Sequence, residues 1–485
     1  MRLPTAEHGP RLHQVVLPIQ LWMVVGTCGS VGMVLIGTSL GSVLRPGNPR
    51  WWFQVPEGPA TLARLGFYAS VALLVVGWIG VGYHARQGRL TVARSWVILA
   101  LWGLPLFLGP PLFSRDIYSY IGQGLLAHHG FNPYSVAPSA LGNVRLLASI
   151  AEVWRNTASP YGPLFVTVSQ GAAAVAGTSL VIQVLAFRVL ELIGVAMVMV
   201  SLPTLSRRLG TDPGVALWLG ALSPLALFSF VASGHNDALM MGLLVAGVTL
   251  ATSGRLAVGL TLCALAATIK LPAAAAILFI GVDQFRAATA NGRWRVILEA
   301  VVVPTVVVVG VTLAAGLGWT WLGPTALHVP TELRILSTPS VSLGTFFHSI
   351  IHAVGIPVSG SKVVTATQSV GELLVVAGVA WMLWNVHRLD VVRLLGLSLM
   401  LIVVGSPTLW PWYLMWGLTI LAASGLQRSK VLAAVAGLAM LMVGPGGSPM
   451  FGGDWYFVIA PLALAGCGWL AWDRHWWKVV SGNVA

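Results

Sequence analysis

The stretch VILEAVVVPTVVVVGVTLAAG, residues 296–316, decides the fold class, because Glu299 is the one charged residue in it. A run of this length can cross the ~30 Å hydrocarbon layer as a single helix. Similar runs recur along nearly the whole chain, in which 56% of residues are hydrophobic and only 8% are charged. So few charges cannot cover a soluble protein of 485 residues. The alternation of a β-barrel is missing. The sequence therefore predicts an all-α polytopic membrane protein.

We predict about 14 transmembrane helices in one integral-membrane domain, residues 1–485. Their approximate ranges are 17–40, 64–83, 95–112, 179–204, 213–232, 238–253, 256–269, 272–284, 296–316, 364–386, 391–408, 411–424, 431–446 and 456–472.

The basic residues serve as topology signals. A net charge of +13 would suggest a nucleic-acid partner in a soluble protein, yet these residues form no cluster and lie in short loops. Most of the 27 Lys and Arg residues fall on one set of alternate connections. The positive-inside rule then predicts cytoplasmic termini and large extracytoplasmic loops at 113–178 and 317–363. We expect a multi-pass cell-membrane protein with its active site outside, and interfacial helices in VRLLASIAEVW, residues 144–154.

The first large loop begins with FSRDIYSYIGQGLLAHHGFNPYSVAP, residues 113–138. Asp116 is followed there by Tyr118 and Gln123, whose flat faces and hydrogen-bonding groups are typical of carbohydrate pockets. The alternative is an interfacial aromatic belt with Asp116 capping a helix. The position of Asp116 next to Arg115 and within a polar run favours a functional site over an aromatic belt.

Three later motifs also fall at predicted outer ends of spans. In SPYGPLF (159–165), Tyr161 is a sugar-binding candidate, although Pro163 initiating a helix would also explain the motif. SGHNDALM (233–240) contributes His235, Asn236 and Asp237, for which a turn with an N-cap is an equally good explanation. In TLWPWYLMW (408–416) we assign Trp412 and Tyr413 to the site and Trp416 to an aromatic belt.

Cations within apolar surroundings indicate anionic ligands. Lys270, in ALAATIKLPAAAA, has no carboxylate within a helical turn, so it either extends toward water or meets an anion. We predict that Lys270 and Arg334, and more weakly Arg115, bind a donor phosphate. Arg188 and Glu191 lie three residues apart in a span, which predicts a structural ion pair.

The 14 acidic residues are few enough to sort singly. Those predicted outside are Glu57, Asp116, Glu152, Asp237, Glu332 and Asp454. Local context explains four of them, which leaves Asp116 as the candidate base and Asp237 as the alternative. Nucleotide-binding motifs and carboxylate pairs with metal spacing are missing, so no cofactor and no metal site are predicted.

In this order, SRDIYSYIGQG, GFNPY, SPYGPLF, GHNDALM, IKLP and PWYLMW resemble the actinobacterial polyprenyl-phosphate-mannose-dependent α-(1→6)-mannosyltransferases of the MptA and MptB type. Each motif alone is weak, whereas the ordered set is fairly specific and covers most of the chain. These enzymes belong to the GT-C membrane glycosyltransferases. The resemblance therefore implies a GT-C-like bundle.

The same resemblance implies a function. The donor would be polyprenyl-phosphate-mannose from the outer leaflet, and the acceptor the lipid-anchored, growing α-(1→6)-mannan of lipomannan and lipoarabinomannan. Asp116 would be the general base of an inverting transfer. Two alternatives stay open: a GT-C transferase that uses another polyprenyl-phosphate sugar, such as arabinose or glucose, and a transporter or flippase of lipid-linked sugars.

Overall fold

The computed structural model describes residues 17–39, 51, 59–323, 338–406 and 409–424, and all regular structure in these ranges is helical. The α-helices are α1 Ile19–Ser39, α2 Ala60–Arg86, α3 Val92–Leu108, α4 Asp116–His128, α5 Val144–Ser149, α6 Glu152–Arg155, α7 Pro163–Ala176, α8 Leu180–Arg208, α9 Pro213–Gly220, α10 Pro224–Ala232, α11 Asp237–Thr252, α12 Leu256–Ala267, α13 Ala275–Ala287, α14 Arg293–Ala315, α15 Pro339–Ala353, α16 Gly360–Trp384, α17 Val391–Gly405 and α18 Leu414–Ala423. Short 3₁₀ turns, Leu271–Ala274 and Pro411–Tyr413, precede α13 and α18.

The prediction of a polytopic, all-helical membrane protein is confirmed. Among the described helices, α1, α2, α8, α14 and α16 are long and apolar enough to cross a membrane, and α9 with α10 passes the same test as a pair bent by 48°. Every span predicted between residues 17 and 424 coincides with a helix, except that 213–232 is divided between α9 and α10. The number of 14 is not established, because several of these helices are short and the spans at 431–446 and 456–472 lie outside the described residues.

The bend between α9 and α10 carries the chain into the interior. Pro224 has no N–H to continue the helical ladder, and the Ser223 hydroxyl instead accepts from the Ala226 amide at 3.2 Å. The following residues, Leu227–Ala232, form a π-helical segment, a form that often accompanies functional sites. Residues 233–237 are consequently buried rather than exposed in a loop.

The part of the first large loop that forms α4 is packed in the core. Helix α4 lies against α7, and Tyr118 and Tyr120 are both fully buried. The stretch predicted to form interfacial helices, residues 144–154, forms α5 and α6, with a break between them. A polar run that predicts a surface loop thus folds inward. Burial of its aromatic side chains contributes more free energy than burial of its polar groups costs.

The predicted ion pair between Arg188 and Glu191 is wrong. The Arg188 guanidinium donates to the main-chain oxygens of Phe107, at 2.7 Å, and of Gly109 and Ala232. Glu191 Oε2 accepts from the Leu239 amide at 3.1 Å. Helix ends leave backbone groups without intrahelical partners, and here both side chains bond to such groups. Helix α8 therefore fixes the end of α3, the end of α10 and the start of α11.

Helices α8 and α11 meet at a glycine contact. A Cβ on Gly194 would lie 2.2 Å from the main-chain oxygen of Ala238. Only glycine permits this approach, which is the usual means of close helix packing in membranes. The contact lies one residue after Asp237, so it sets the position of that side chain.

Candidate active site

Segments far apart in sequence converge around the Asp116 carboxylate at the start of α4. Trp154 Nε1 donates to Asp116 Oδ1 at 3.1 Å, and His235 Nδ1 lies 3.5 Å from Asp116 Oδ2. The Asp116 amide donates to the Ser114 hydroxyl at 3.1 Å. Asp116 does not cap its own helix through a side-chain bond, since the carboxylate points toward other elements. Its side chain keeps 13% exposure, which leaves an approach for a substrate.

Burial raises the pKa of Asp116 to about 6, although the Lys270 charge and the bond from Trp154 act in the opposite direction. Burial also lowers the pKa of His235, so this imidazole is neutral and adds no positive charge beside the carboxylate. A carboxylate with a pKa near neutrality is a stronger base than an ordinary Asp and still ionises at physiological pH.

An aromatic stack supports His235. Its ring lies on Trp412 with centroids 3.9 Å apart, and Trp412 lies on Trp410 at 4.8 Å. The Tyr120 hydroxyl donates to Asn236 Oδ1 at 3.4 Å and lies 3.5 Å from His235 Nδ1. Among the described residues, buried His235 Nε2 and Asn236 Nδ2 have no hydrogen-bond partner. Such open groups are what a hydroxylated ligand satisfies.

Lys270 does have a counterion. Its Nζ lies 2.9 Å from Asp237 Oδ1, and Asp237 is fully buried. Trp416 Nε1 donates to the same oxygen at 2.6 Å. The Lys270 ammonium also lies 4.2 Å from the centroid of the Tyr413 ring. The sequence shows no carboxylate within a helical turn of Lys270, and the anion that it meets is Asp237, which is 33 positions away and outside any local pattern. A turn cap does not account for Asp237, and Trp416 is part of this cluster rather than of a belt.

The SPYGPLF segment is bonded to the loop that carries Lys270. Gly162 N–H donates to the Ile269 oxygen at 3.0 Å, and Leu164 N–H donates to the Thr268 oxygen at 3.1 Å. A Cβ on Gly162 would lie 2.1 Å from that Thr268 oxygen. Tyr161 packs edge-on against Tyr120 at 5.2 Å. Pro163 also starts α7, which confirms the helix-initiation explanation of the motif, and a sugar contact of Tyr161 stays a prediction.

Two other predicted site residues, Tyr118 and Gln123, follow Asp116 along α4. Tyr118 is fully buried, and the charges that act on its hydroxyl are those of Arg188 and Arg115. Gln123 bonds to Ser119 at 3.2 Å and accepts from Ser159 at 2.9 Å, which joins α4 to the SPYGPLF segment.

Two predicted phosphate ligands remain. Arg115 adjoins Asp116 and donates to the Ala148 oxygen at 3.1 Å. Arg334 lies outside the described residues.

Sequence reasoning missed three residues of this cluster. Trp154 lies in a stretch that predicts an interfacial helix. Tyr120 lies in the polar run 113–138 without an assigned contact, and Trp416 was predicted to belong to an aromatic belt. All three act through a ring N–H or hydroxyl that bonds to a residue distant in sequence, and no local pattern reveals such a bond. In the part of the chain that the structure describes, no three His, Cys, Asp or Glu side chains could hold a metal ion.

Comparisons with known proteins cover both halves of the chain. Residues 23–286 match a family described as alpha-(1->6)-mannopyranosyltransferase, N-terminal domain, and residues 340–472 match the MptB C-terminal domain. Alpha-(1->6)-mannopyranosyltransferase A of Mycobacterium tuberculosis is 30% identical over 87% of this chain and 84% of its own length. A probable alpha-(1->6)-mannopyranosyltransferase of Mycolicibacterium smegmatis is 30% identical over 90% and 85%. No solved structure matches.

Proposed function

The chain belongs to the MptA/MptB family of α-(1→6)-mannopyranosyltransferases, and from that premise we propose that it moves mannose from polyprenyl-phosphate-mannose to a growing α-(1→6)-mannan. Its membership of this family and its long apolar helices together identify the protein as a membrane mannosyltransferase. The donor, the lipid-anchored acceptor of the lipomannan and lipoarabinomannan type, and the course of the reaction are the proposal. The observation that carries it is the Asp116 carboxylate, bonded to Trp154 and facing His235.

One displacement accounts for the chemistry. The primary hydroxyl oxygen of the acceptor attacks the anomeric carbon of the donor mannose, and the bond from that carbon to the phosphate oxygen breaks. Its electron pair leaves with the polyprenyl phosphate, and the hydroxyl proton passes to Asp116. A phosphate is already a good leaving group, so no acid is required. A β-linked donor gives an α product with inversion and no covalent enzyme intermediate.

The donor phosphate is assigned to cations near Asp116. The Lys270 ammonium donates two hydrogen bonds to the Asp237 carboxylate. Its third N–H is the one that we assign to a phosphate oxygen. Arg115 lies next to Asp116 in the chain and supplies a planar fork suited to phosphate. Arg334 stays a candidate on sequence grounds.

Sugar contacts are assigned to Tyr118, Gln123, Tyr161, His235, Asn236, Asp237, Trp412 and Tyr413. The open atoms on His235 and Asn236 and the aromatic faces around them support this assignment most strongly.

The activity should rise with pH through a single acid limb. The base works in its ionised form, so protonation of Asp116 below its pKa of about 6 removes it. We expect kcat/KM to fall about tenfold per pH unit below about pH 6. The residual activity of Asp116→Asn should lack this limb, because the donor phosphate is a diester that stays ionised throughout this range. An acid limb centred near pH 4, where an ordinary Asp titrates, would contradict the assignment.

A GT-C-like bundle with an extracytoplasmic active site is likewise proposed, and labelling tests the sidedness. Val144 and Val354 have 79% and 66% of their surface exposed and lie in the two large loops. In a background without the three native cysteines, Val144→Cys and Val354→Cys should react with an impermeant maleimide in intact cells. Gln87→Cys, in a predicted cytoplasmic connection, should react only after permeabilisation. The reverse pattern would overturn the topology.

The proposed donor is tested with a panel. Purified protein is incubated with polyprenyl-phosphate-linked mannose, arabinose or glucose and a short α-(1→6)-mannoside, and products are weighed by mass spectrometry. We expect one hexose added from the mannose donor only. Transfer from arabinose or glucose instead would replace the proposed donor, and lipid movement across vesicles without any transfer would favour the transporter alternative.

A further inference from the structure

A cavity lies at the end of α4 opposite to Asp116. It has a volume of about 520 Å³, within the ~300–1,000 Å³ range of ligand pockets. Leu125 and His129 line it from α4 and the residue after that helix. At 1.5 Å rise per residue, these positions lie roughly 14–20 Å along the helix from Asp116.

The lining of this cavity combines apolar and neutral hydrogen-bonding groups. Its residues are Leu125, His129, Leu141, Asn143, Arg145, Leu146, Gly177, Thr178, Ser179, Leu180 and Gln183. Four leucines offer faces for the C–H side of sugar rings, while the amides, hydroxyls and guanidinium offer partners for their hydroxyls. The lining holds no carboxylate. One guanidinium among several neutral groups fits an uncharged polyol better than a phosphate.

A short stretch of chain connects the cavity to Asp116. Asn143, Arg145 and Leu146 line the cavity, and α6 follows directly with Trp154, which donates to Asp116 Oδ1. Between them, the Ala148 oxygen accepts from Arg115, the neighbour of Asp116. A polymer with its end at Asp116 and its body along this stretch would reach the cavity.

We propose that this cavity binds the part of the mannan acceptor several sugars away from the reacting hydroxyl. The proposal rests on the proposed function, because it needs a polymeric acceptor at Asp116. The cavity then gives the enzyme a preference for acceptors long enough to span from Asp116 to Arg145. An anionic lipid headgroup is the competing occupant, and the experiment separates the two.

The test compares α-(1→6)-mannoside acceptors of two and six sugars with the full-length protein in nanodiscs. Arg145→Ala and Ser179→Trp, at exposed positions of the cavity wall, should raise KM for the long acceptor about tenfold. The turnover number, the donor KM and the KM for the short acceptor should not change. Lys362→Ala, which removes an exposed positive charge from the other large loop, is the matched control and should leave all values unchanged.

Several outcomes would overturn the inference. The parent protein could have equal KM values for both acceptors, or the variants could change both KM values equally. Either result would show that the cavity does not distinguish acceptors by length. Loss of stimulation by phosphatidylglycerol nanodiscs in Arg145→Ala, with acceptor KM unchanged, would assign the cavity to a headgroup. Binding of the six-sugar mannoside is also measured by saturation-transfer NMR without donor. If the parent binds it and Ser179→Trp does not, yet no transfer occurs, the proposed function fails and the cavity assignment stands.

Discussion

Asp116→Asn is expected to lower the turnover number by about 10²–10⁴-fold, the range for loss of a general base, while the donor KM stays close to its parental value. The amide keeps an oxygen to accept from Trp154, so the local packing should survive. What it loses is the capacity to take the acceptor proton. Initial rates of mannose transfer, measured at saturating donor, provide the test.

The matched control for this variant is Glu152→Gln. Glu152 is an exposed carboxylate in the same loop, two residues from Trp154, so the change removes an equal charge without touching the site. It should leave turnover unchanged. An active Asp116→Asn beside an inactive Asp237→Asn would exchange the roles of the two carboxylates. If both stay active, the base is neither of them.

The second large effect is expected from the pair Lys270 and Asp237. Removing one member leaves the other charge buried, which costs about 3 kcal/mol, the low end of the range for buried pairs. Lys270→Met and Asp237→Asn should both lower the thermal unfolding temperature. The two variants should differ in donor binding, because only Lys270→Met removes a phosphate ligand, with a rise in donor KM of about tenfold.

The double variant separates stability from binding. With both charges gone, unfolding temperature should recover toward the parental value, while the donor KM should remain high. A Lys270→Met protein with a parental donor KM would show that Lys270 serves only as the partner of Asp237. Lys270→Arg, which keeps the charge, serves as the control for the cation itself.

Much of the fold was accessible from the sequence, since apolar runs report burial in lipid directly. The predicted spans 179–204, 296–316 and 364–386 coincide with the long helices α8, α14 and α16. The inward packing of α4 could not be predicted from the sequence, because its polar residues could equally face water or one another. The 48° bend between α9 and α10 was not predicted either, since residues 213–232 have the apolar composition of a single span.

The sequence predicted which motifs form the site, but it did not predict which of their side chains contact one another. Asp116, His235 and Trp412 were each selected for their chemistry, and the structure places them together. The Lys270 counterion and the bonds from Trp154 and Trp416 were missed, because they join residues 33, 38 and 179 positions apart. Arg188 was misassigned for the opposite reason. Its nearest acidic neighbour in sequence, Glu191, bonds to the Leu239 amide, and Arg188 bonds to three carbonyls at helix ends.

The most direct test of the account is the NMR spectrum of the product formed by the purified protein from polyprenyl-phosphate-mannose and α-(1→6)-dimannoside. The account predicts a trisaccharide whose new mannose is α-linked to the primary hydroxyl of the acceptor's terminal sugar. At the same short reaction time, Asp116→Asn should give about 10²–10⁴-fold less of this product than the parent. A β-linked product, attachment at another hydroxyl, or equal product from Asp116→Asn would contradict it.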